Sequence, residues 1–314
     1  MRISIVTVCH NSSDALPDFL ASLQPYVCGG GDHEVDVVAV DNASQDGSVD
    51  LLRAAPFAVD VVRSATNDGY AAGINRGVRR RPNADAYLIL NPDTRLHPGS
   101  VEALVEGLAS PGAGIAVPRM VRDDGGLRYT LRRAPSARRA WAELLMTAER
   151  AATVGDLGER VGAREAYGSP HAVDWASGSA MLISAACLRV VGPWDESFFL
   201  YSEETDFCLR SRERGLLTYY CPDALVTHLG GASRTSPQLH ATLTLNRIRC
   251  FRKHNPSWSV PLFASAVWLK QLLRALRGDR AARAALQAFV RPSTRHPDLL
   301  RMRNLARKRA TSSR

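Results

Sequence analysis

Residues 2–9 (RISIVTVC) form a β-branched run that stops at the polar cluster His10-Asn11-Ser12-Ser13-Asp14. Such a run predicts a buried strand that gives way to a loop. Apolar residues at helical spacing follow over 15–23 (Leu16, Phe19, Leu20, Leu23), and a Gly-Gly-Gly turn at 29–31 leads into a second strand over 35–40, ending at Asp41. The same alternation predicts a helix over 48–55, a strand over 59–63, a helix over 71–81 and a strand over 86–90 that ends at Asn91-Pro92-Asp93. Strands alternating with helices imply an α/β fold with a mainly parallel sheet and right-handed crossovers.

Beyond this unit the pattern loosens. Residues 113–140 read as irregular and basic, 141–165 as a helix interrupted by Gly155 and Gly158, and 174–184 as a small-residue stretch that becomes a strand. Short helices are expected over 185–191 and 203–214, and strands over 217–220 and 224–228. After Gly230-Gly231 the chain reads as helical, over 237–253 and again over 258–288. The division expected is a catalytic unit over 1–235 and a helical, Arg-rich extension over 236–314.

Polar residues gather where the predicted strands end: Asn11, Asp41, Asn67 and Asp93. Open parallel sheets bind ligands outside the carboxyl ends of their strands, so four such residues in succession point to one crevice. Asp41 suits a nucleotide base or a ribose. The segment from Asn67 to Asn75 carries two glycines and two alanines, which allow close approach of backbone to ligand or sheet. It is neither a dinucleotide fingerprint nor a P-loop. Asp93 can hold a hard divalent cation through oxygen, and His228, at a predicted strand end, is a candidate second ligand. The acidic cluster Glu203-Glu204-Thr205-Asp206 follows an aromatic strip from Trp194 to Tyr201. A carboxylate there can deprotonate an alcohol, and aromatic faces suit a sugar ring.

Charge and composition refine this picture. The 314 residues are 45% apolar and 23% charged, the usage of an ordinary globule. The net charge is +9, yet 13 of the 40 basic residues and only 2 of the 31 acidic ones lie from Lys270 onward, which leaves the preceding 269 residues at −2. A basic tail fits an anionic partner. Nucleic acid is disfavoured, because Phe289 is the only aromatic residue from Lys270 onward that could stack on a base. Six scattered cysteines without a C-x-x-C pair suggest neither a zinc framework nor a disulfide scaffold. Without a basic leader or a spanning apolar run, a cytoplasmic location is expected, with a peripheral position on the inner face of the cell membrane open to it.

The ordered set SIVTVCHNS, VVAVDNASQDGS, NDGYAAGINRG, LILNPDT, VDWASGSAMLI and GPWDESFFLYSEETDFCLR, with the late His228, resembles family 2 glycosyltransferases of the GT-A fold, in particular the bacterial rhamnosyltransferase-like group. That resemblance covers residues 3–231. It implies a Rossmann-like twisted sheet and an inverting transfer from a nucleoside diphosphate sugar. dTDP-rhamnose is the leading donor, with a UDP-hexose or UDP-galactofuranose as alternatives. The acceptor implied is a cell-envelope glycan or a polyprenyl-diphosphate-linked glycan. By the same resemblance Asn11, Asp41, Asn67, Gly69, Gly73, Asn75 and Asp93 would bind the donor. Trp175, Ser177, Gly178, Trp194, Asp195 and Glu203 would lie by the sugar or acceptor. Asp93 and His228 would hold Mg²⁺ or Mn²⁺. Glu204 would be the base, one methylene longer than the family's commoner Asp. A sugar-nucleotide-binding protein without activity is the competing reading. In the C-terminal extension, 258–276 is apolar and then basic, too short to span a bilayer but able to lie in its interface. The alternative is that Phe263, Val267 and Leu272 pack on the catalytic unit.

Overall fold

A computed structural model describes residues 1–230 and 236–291. The elements in chain order are β1 (Arg2–Cys9), α1 (Leu16–Cys28), β2 (Glu34–Asp41), α2 (Ser48–Arg53), β3 (Val59–Arg63), α3 (Tyr70–Arg80), β4 (Ala86–Leu90), β5 (Thr94–Leu96), α4 (Ser100–Leu108) and β6 (Ala113–Val121). There follow β7 (Leu131–Arg132), α5 (Ala137–Leu145), α6 (Ala148–Thr153), β8 (His171–Val173), β9 (Trp175–Ala176), β10 (Ala180–Ser184), α7 (Ala185–Val191), α8 (Glu203–Glu213), β11 (Leu217–His228), α9 (Pro237–His254), α10 (Val260–Leu276) and α11 (Arg280–Val290).

The main sheet runs β3-β2-β1-β4-β10-β6-β11-β5, with β8 paired on β11. The first four strands are parallel, β10 is antiparallel to both of its neighbours, and β11 is parallel to β6 but antiparallel to β5. Alternate side chains of each early strand feed two separate cores. Ile3, Ile5, Val37, Ala39, Leu88 and Leu90 pack on one face with Leu16, Phe19 and Leu104. Val6, Val8, Val38, Val40, Tyr87 and Ile89 pack on the other with Ala71, Ile74 and Phe207. Burial on both faces explains why these strands read as continuous apolar runs.

The expectations for 113–140 and beyond need correction. Residues 113–121, expected to be irregular, form β6 in the interior of the sheet. Gly114 and Pro118 hide this strand in the sequence. Pro118 pairs with Cys221 just where β11 breaks register between Cys221 and Leu225, and a bulge is a place where a strand tolerates proline. That same bulge makes one strand, β11, look like two. In place of the long interrupted helix over 141–165 there are two short helices, α5 and α6, parted at Thr147, whose φ is +75°. The helix expected over 258–288 is divided at Gly278 (φ +92°), after which the Asp279 side chain caps α11 through the amides of Ala281 and Ala282.

Phe263 and Val267 are buried and pack with Ala140, Ile248 and Phe251. The rings of Phe251 and Phe263 stack with centroids 3.9 Å apart. The basic stretch beyond residue 291, on which part of the membrane expectation rested, lies outside the described residues.

Candidate active site

The carboxyl ends of β1, β2 and β4 open on a cleft of about 650 Å³ whose walls include Asn11, Asn42, Asn67, Gly69 and Asp93. It adjoins a second chamber of about 440 Å³ that carries Ser177, Gly178, Glu203, Glu204 and His228. Tyr70, Asn91, Asp93, Leu200, Leu229 and Gly230 belong to both.

The strand-end wall is braced by its own hydrogen bonds. Asn11 adopts φ +52°, which Asn tolerates better than most residues, and its Oδ1 accepts the Gln45 amide at 2.8 Å. His10 Nδ1 lies 2.8 Å from the Asn42 carbonyl. The Asp46 carboxylate, desolvated yet bonded by Ser48 and Ser13, is held down at about 2. Asn67 Oδ1 accepts the Gly69 amide at 3.1 Å. Gly69 has φ +89°, and a Cβ there would sit 2.2 Å from the Phe199 carbonyl oxygen, so no other residue fits this turn.

Asp93 meets His228 because β5 and β11 pair antiparallel, with His228 opposite Thr94. The His228 ring Nε2 is 3.1 Å from Asp93 Oδ2, and the Leu229 amide donates to the Asp93 carbonyl at 3.0 Å. Two side chains separated by 135 residues in sequence thus face the boundary of the two chambers.

Glu203 and Glu204 start α8. The turn before them is strained: Tyr201 and Ser202 have φ of +71° and +72°. From α9, the Asn246 side-chain amide donates to the Leu200 carbonyl at 2.9 Å and to that of Tyr201 at 3.3 Å, which holds the turn. One turn into α8, Asp206 is fully buried and bonds Arg210, Lys253 and His254 at 2.7–2.8 Å. Those bonds outweigh its desolvation and bring its carboxyl down to about 2. α9 therefore grips α8 on both sides of the glutamate pair.

The two glutamates differ from Asp206. Burial pushes both carboxyls up, and the negative charge of Glu204 adds to the rise at Glu203. Arg132 pulls Glu204 part of the way back. An Oε2 atom of each is buried without a hydrogen-bond partner. Tyr70, between the chambers, donates to the Gly178 carbonyl at 3.2 Å. Burial and the negative charges of Glu203, Glu204 and Asp93 push its phenol well above the ordinary value. Gly178 lies against Glu204: a Cβ there would come within 2.9 Å of the Glu204 Cβ.

Asn11, Asn67, Gly69, Asp93, Ser177, Gly178, Glu203, Glu204 and His228 all line the two chambers. The other expected site residues sit elsewhere. Asp41 is buried, with its carboxylate 3.3 Å from the Ser44 amide, and its neighbour Asn42 lines the cleft in its place. Gly73 lets α3 approach β1, since a Cβ would be 2.5 Å from Val8. Asn75 clamps the backbone of Trp194 with bonds of 2.9 Å in both directions. Trp194 is buried and stacks on Phe207, with centroids 4.7 Å apart. Asp195 pairs with Lys253 at 2.8 Å. Trp175 shares with Glu204 a small cavity of about 80 Å³. The sequence reading missed His10, Asn42, Tyr70 and Arg128. Tyr70 lies inside the NDGYAAGINRG segment. Arg128, whose guanidinium donates to the Leu229 carbonyl at 3.0 Å, reaches the site only because its backbone pairs with Met120.

Comparison with known proteins agrees with this layout. The family model of glycosyl transferase family 2 matches residues 4–164. An N-acetylglucosaminyl-diphospho-decaprenol L-rhamnosyltransferase of Mycobacterium tuberculosis is 28% identical over 305 residues, covering 91% of this chain and 94% of that protein. A low-salt glycan biosynthesis hexosyltransferase of Haloferax volcanii is 28% identical over 170 residues, 52% of this chain and 49% of its own. Among solved structures, a mannosyltransferase of Pyrobaculum calidifontis, in complex with GDP-Man and Mn²⁺, aligns over 95% of this chain and 81% of that one with a TM-score of 0.56 at 15% identity, a likeness of fold. The family segment begins in β1 and takes in the ends of β1, β2 and β4 at the larger cleft, and the chain is a glycosyltransferase belonging to family 2.

Proposed function

We propose that this enzyme transfers a hexose, with rhamnose from dTDP-rhamnose as the first candidate, onto a hydroxyl of a polyprenyl-diphosphate-linked cell-envelope glycan, with inversion at the anomeric carbon. The observation that carries the reading is the joining of two chambers, one at the strand ends and one under the Glu203–Glu204 pair, at Asp93. The near full-length similarity to a rhamnosyltransferase whose name specifies a lipid-linked acceptor supports the donor and acceptor classes.

The donor diphosphate would lie along the shared wall. Asp93 and His228 offer one carboxylate and one imidazole side by side, and no cluster of three or more metal-ligating side chains exists among the described residues. That set fits a Mg²⁺ or Mn²⁺ ion that takes its remaining oxygens from a diphosphate and water. Bound there, the ion would supply charge neutralisation to the departing diphosphate. Arg128, at the same wall, adds a fixed positive charge.

Glu204 is the base in this reading. It contacts the Gly178 backbone and lines the second chamber, where an acceptor hydroxyl can reach its carboxylate. Burial raises its pKa above the ordinary carboxylate value, which makes it a stronger base for proton removal. Glu203, buried beside it, shields that proton acceptor from water. Residues 236–314 are, in the same proposal, an extension whose α9 holds α8 in place.

The test is a panel of nucleotide sugars assayed for hydrolysis and transfer with and without Mg²⁺ or Mn²⁺. Preferential consumption of dTDP-rhamnose, abolished by chelation, is expected. Selective use of a UDP-hexose or UDP-galactofuranose would replace the donor. Failure to bind or turn over any sugar nucleotide would overturn the reading.

A further inference from the structure

The inward side of α10 is packed on α5 and α9 through Phe263, Ala266 and Val267. Its outward side is different. Trp258, in the turn before the helix, is 73% exposed, and Leu262, Trp268 and Leu276 are 49%, 42% and 75% exposed. Leu269 and Leu272, half-buried, continue the same side, and Ser265 is the one polar residue along it. At 3.6 residues per turn these positions form a single stripe about 25 Å long. Exposed apolar residues scattered singly need no explanation, but a continuous stripe with two tryptophans does. Leu145, at the end of the neighbouring α5, is also exposed and extends the apolar surface.

The edge of the stripe is basic. Lys270, Arg274 and Arg277 follow one another along one flank of α10, and Arg280 and Arg283 continue onto α11. Between positions 258 and 291 there are six basic residues and one acidic residue, Asp279, which is paired with Arg274; Lys270 is paired with Glu143 of α5, and Arg277, Arg280 and Arg283 are exposed. No helix among the described residues is long and apolar enough to cross a membrane. An amphipathic helix of this make-up, with Trp and Leu on one side and Arg and Lys beside them, is suited to the headgroup layer. A second copy of the chain is a poorer match, because apposing two such stripes would bring two basic edges together.

We propose that the outward face of α10 seats this enzyme on an anionic lipid bilayer, with Trp258, Leu262, Trp268 and Leu276 entering the interface and the flanking Arg277, Arg280 and Arg283 contacting acidic headgroups. The placement stands on the helix face alone and does not depend on which sugar is transferred.

The experiment is flotation of the full-length protein with vesicles of phosphatidylglycerol and phosphatidylcholine, against vesicles of phosphatidylcholine alone. Binding to the anionic vesicles is expected, weakened by raised salt, with a blue shift of tryptophan emission. The combined variant Trp258→Ser, Leu262→Ser, Trp268→Ser and Leu276→Ser should bind at least tenfold more weakly while its thermal unfolding stays close to that of the parent. If that variant does not fold, Arg277→Glu with Arg280→Glu carries the test and should lower binding to anionic vesicles alone. Equal flotation of parent and variants overturns the proposal. So does absence of parent binding to anionic vesicles, or a parent dimer in lipid-free sedimentation that the Ser variant splits. Donor hydrolysis without vesicles reads the transferase assignment separately, and parent and variants should share it.

Discussion

The two sides of the cleft treat their polar groups in opposite ways. At the strand ends Asn11, Asp46 and Asn67 each bond a backbone amide nearby, so the wall has a fixed shape before any ligand arrives. Asn42 departs from this only at its Oδ1, which is buried without a partner while its Nδ2 donates to Gly69. On the opposite side, Glu203 and Glu204 each keep a buried oxygen with no partner and stand next to one another. Leaving a buried polar atom unsatisfied typically costs ~1–3 kcal/mol. The surroundings of α8 offset that cost: Asp206 has three cationic partners, and Asn246 ties down the strained turn. The contrast separates shape from reactivity. One wall is nearly complete in its bonding, whereas the other stays chemically open and needs outside support.

The largest expected effect falls on the open side. Glu204→Gln should lower turnover by ~10²–10⁴-fold with donor affinity retained, as read by steady-state rates beside calorimetric titration of the donor nucleotide. Near-parental turnover would move the base to Glu203, and the same substitution there would then show the loss. Next comes the support. Asp206→Asn removes the charge facing Arg210, Lys253 and His254, and should destabilise the fold by ~3–5 kcal/mol in denaturant unfolding. An unchanged midpoint would mean that α9 does not brace α8. Smaller again is Gly178→Ala. The added methyl would press on Glu204, so kcat should fall by roughly 10–10²-fold while the donor KM holds; a fall in donor affinity instead would assign Gly178 to the donor wall.

The smallest effect is in pH. Desolvation alone would lower the His254 pKa, but hydrogen bonds to Asp206 and Glu213 raise it above its ordinary 6.5. Its contribution to stability is therefore complete below 6.5 and fades as pH climbs through the raised value. Asp206 works in the other direction: its contribution is present above 3.8 and is lost as pH falls toward about 2. The melting temperature of the parent should exceed that of His254→Gln by roughly 2–4 °C at pH 6, with the gap narrowing in alkaline buffer.

The two sides also differed in how well the sequence foretold them. β1, β2 and β4 were legible because both faces of each are buried, which leaves an apolar run that alternation cannot disguise. β6 was not, since Gly114 and Pro118 are breakers whose tolerance depends on a bulge in a strand a hundred residues later. At the site, motif residues on turns, such as Asn67 and Asp93, did line the chambers, as did Glu204 in the first turn of α8. Residues read from the same motifs but set within helices or packed loops did not: Asn75, Trp194 and Asp195 serve as framework. A motif tells which residues travel together, whereas the direction of each side chain depends on its neighbours in space. Arg128 shows the converse: a local hairpin pairing with Met120 sets its backbone, and its guanidinium meets the cleft at Leu229, 101 residues later.

The grip of α9 on α8 bears on how this protein can be divided. A fragment ending before Pro237 would keep the parallel strands and the Asp93 turn, yet its acidic helix would lose Asn246, Lys253 and His254 together. Such a fragment should still capture nucleotide but leave its acidic helix without support, so under the proposed function α9, in the final quarter of the chain, is a working part of the catalyst and not an appendage that can be trimmed for convenience.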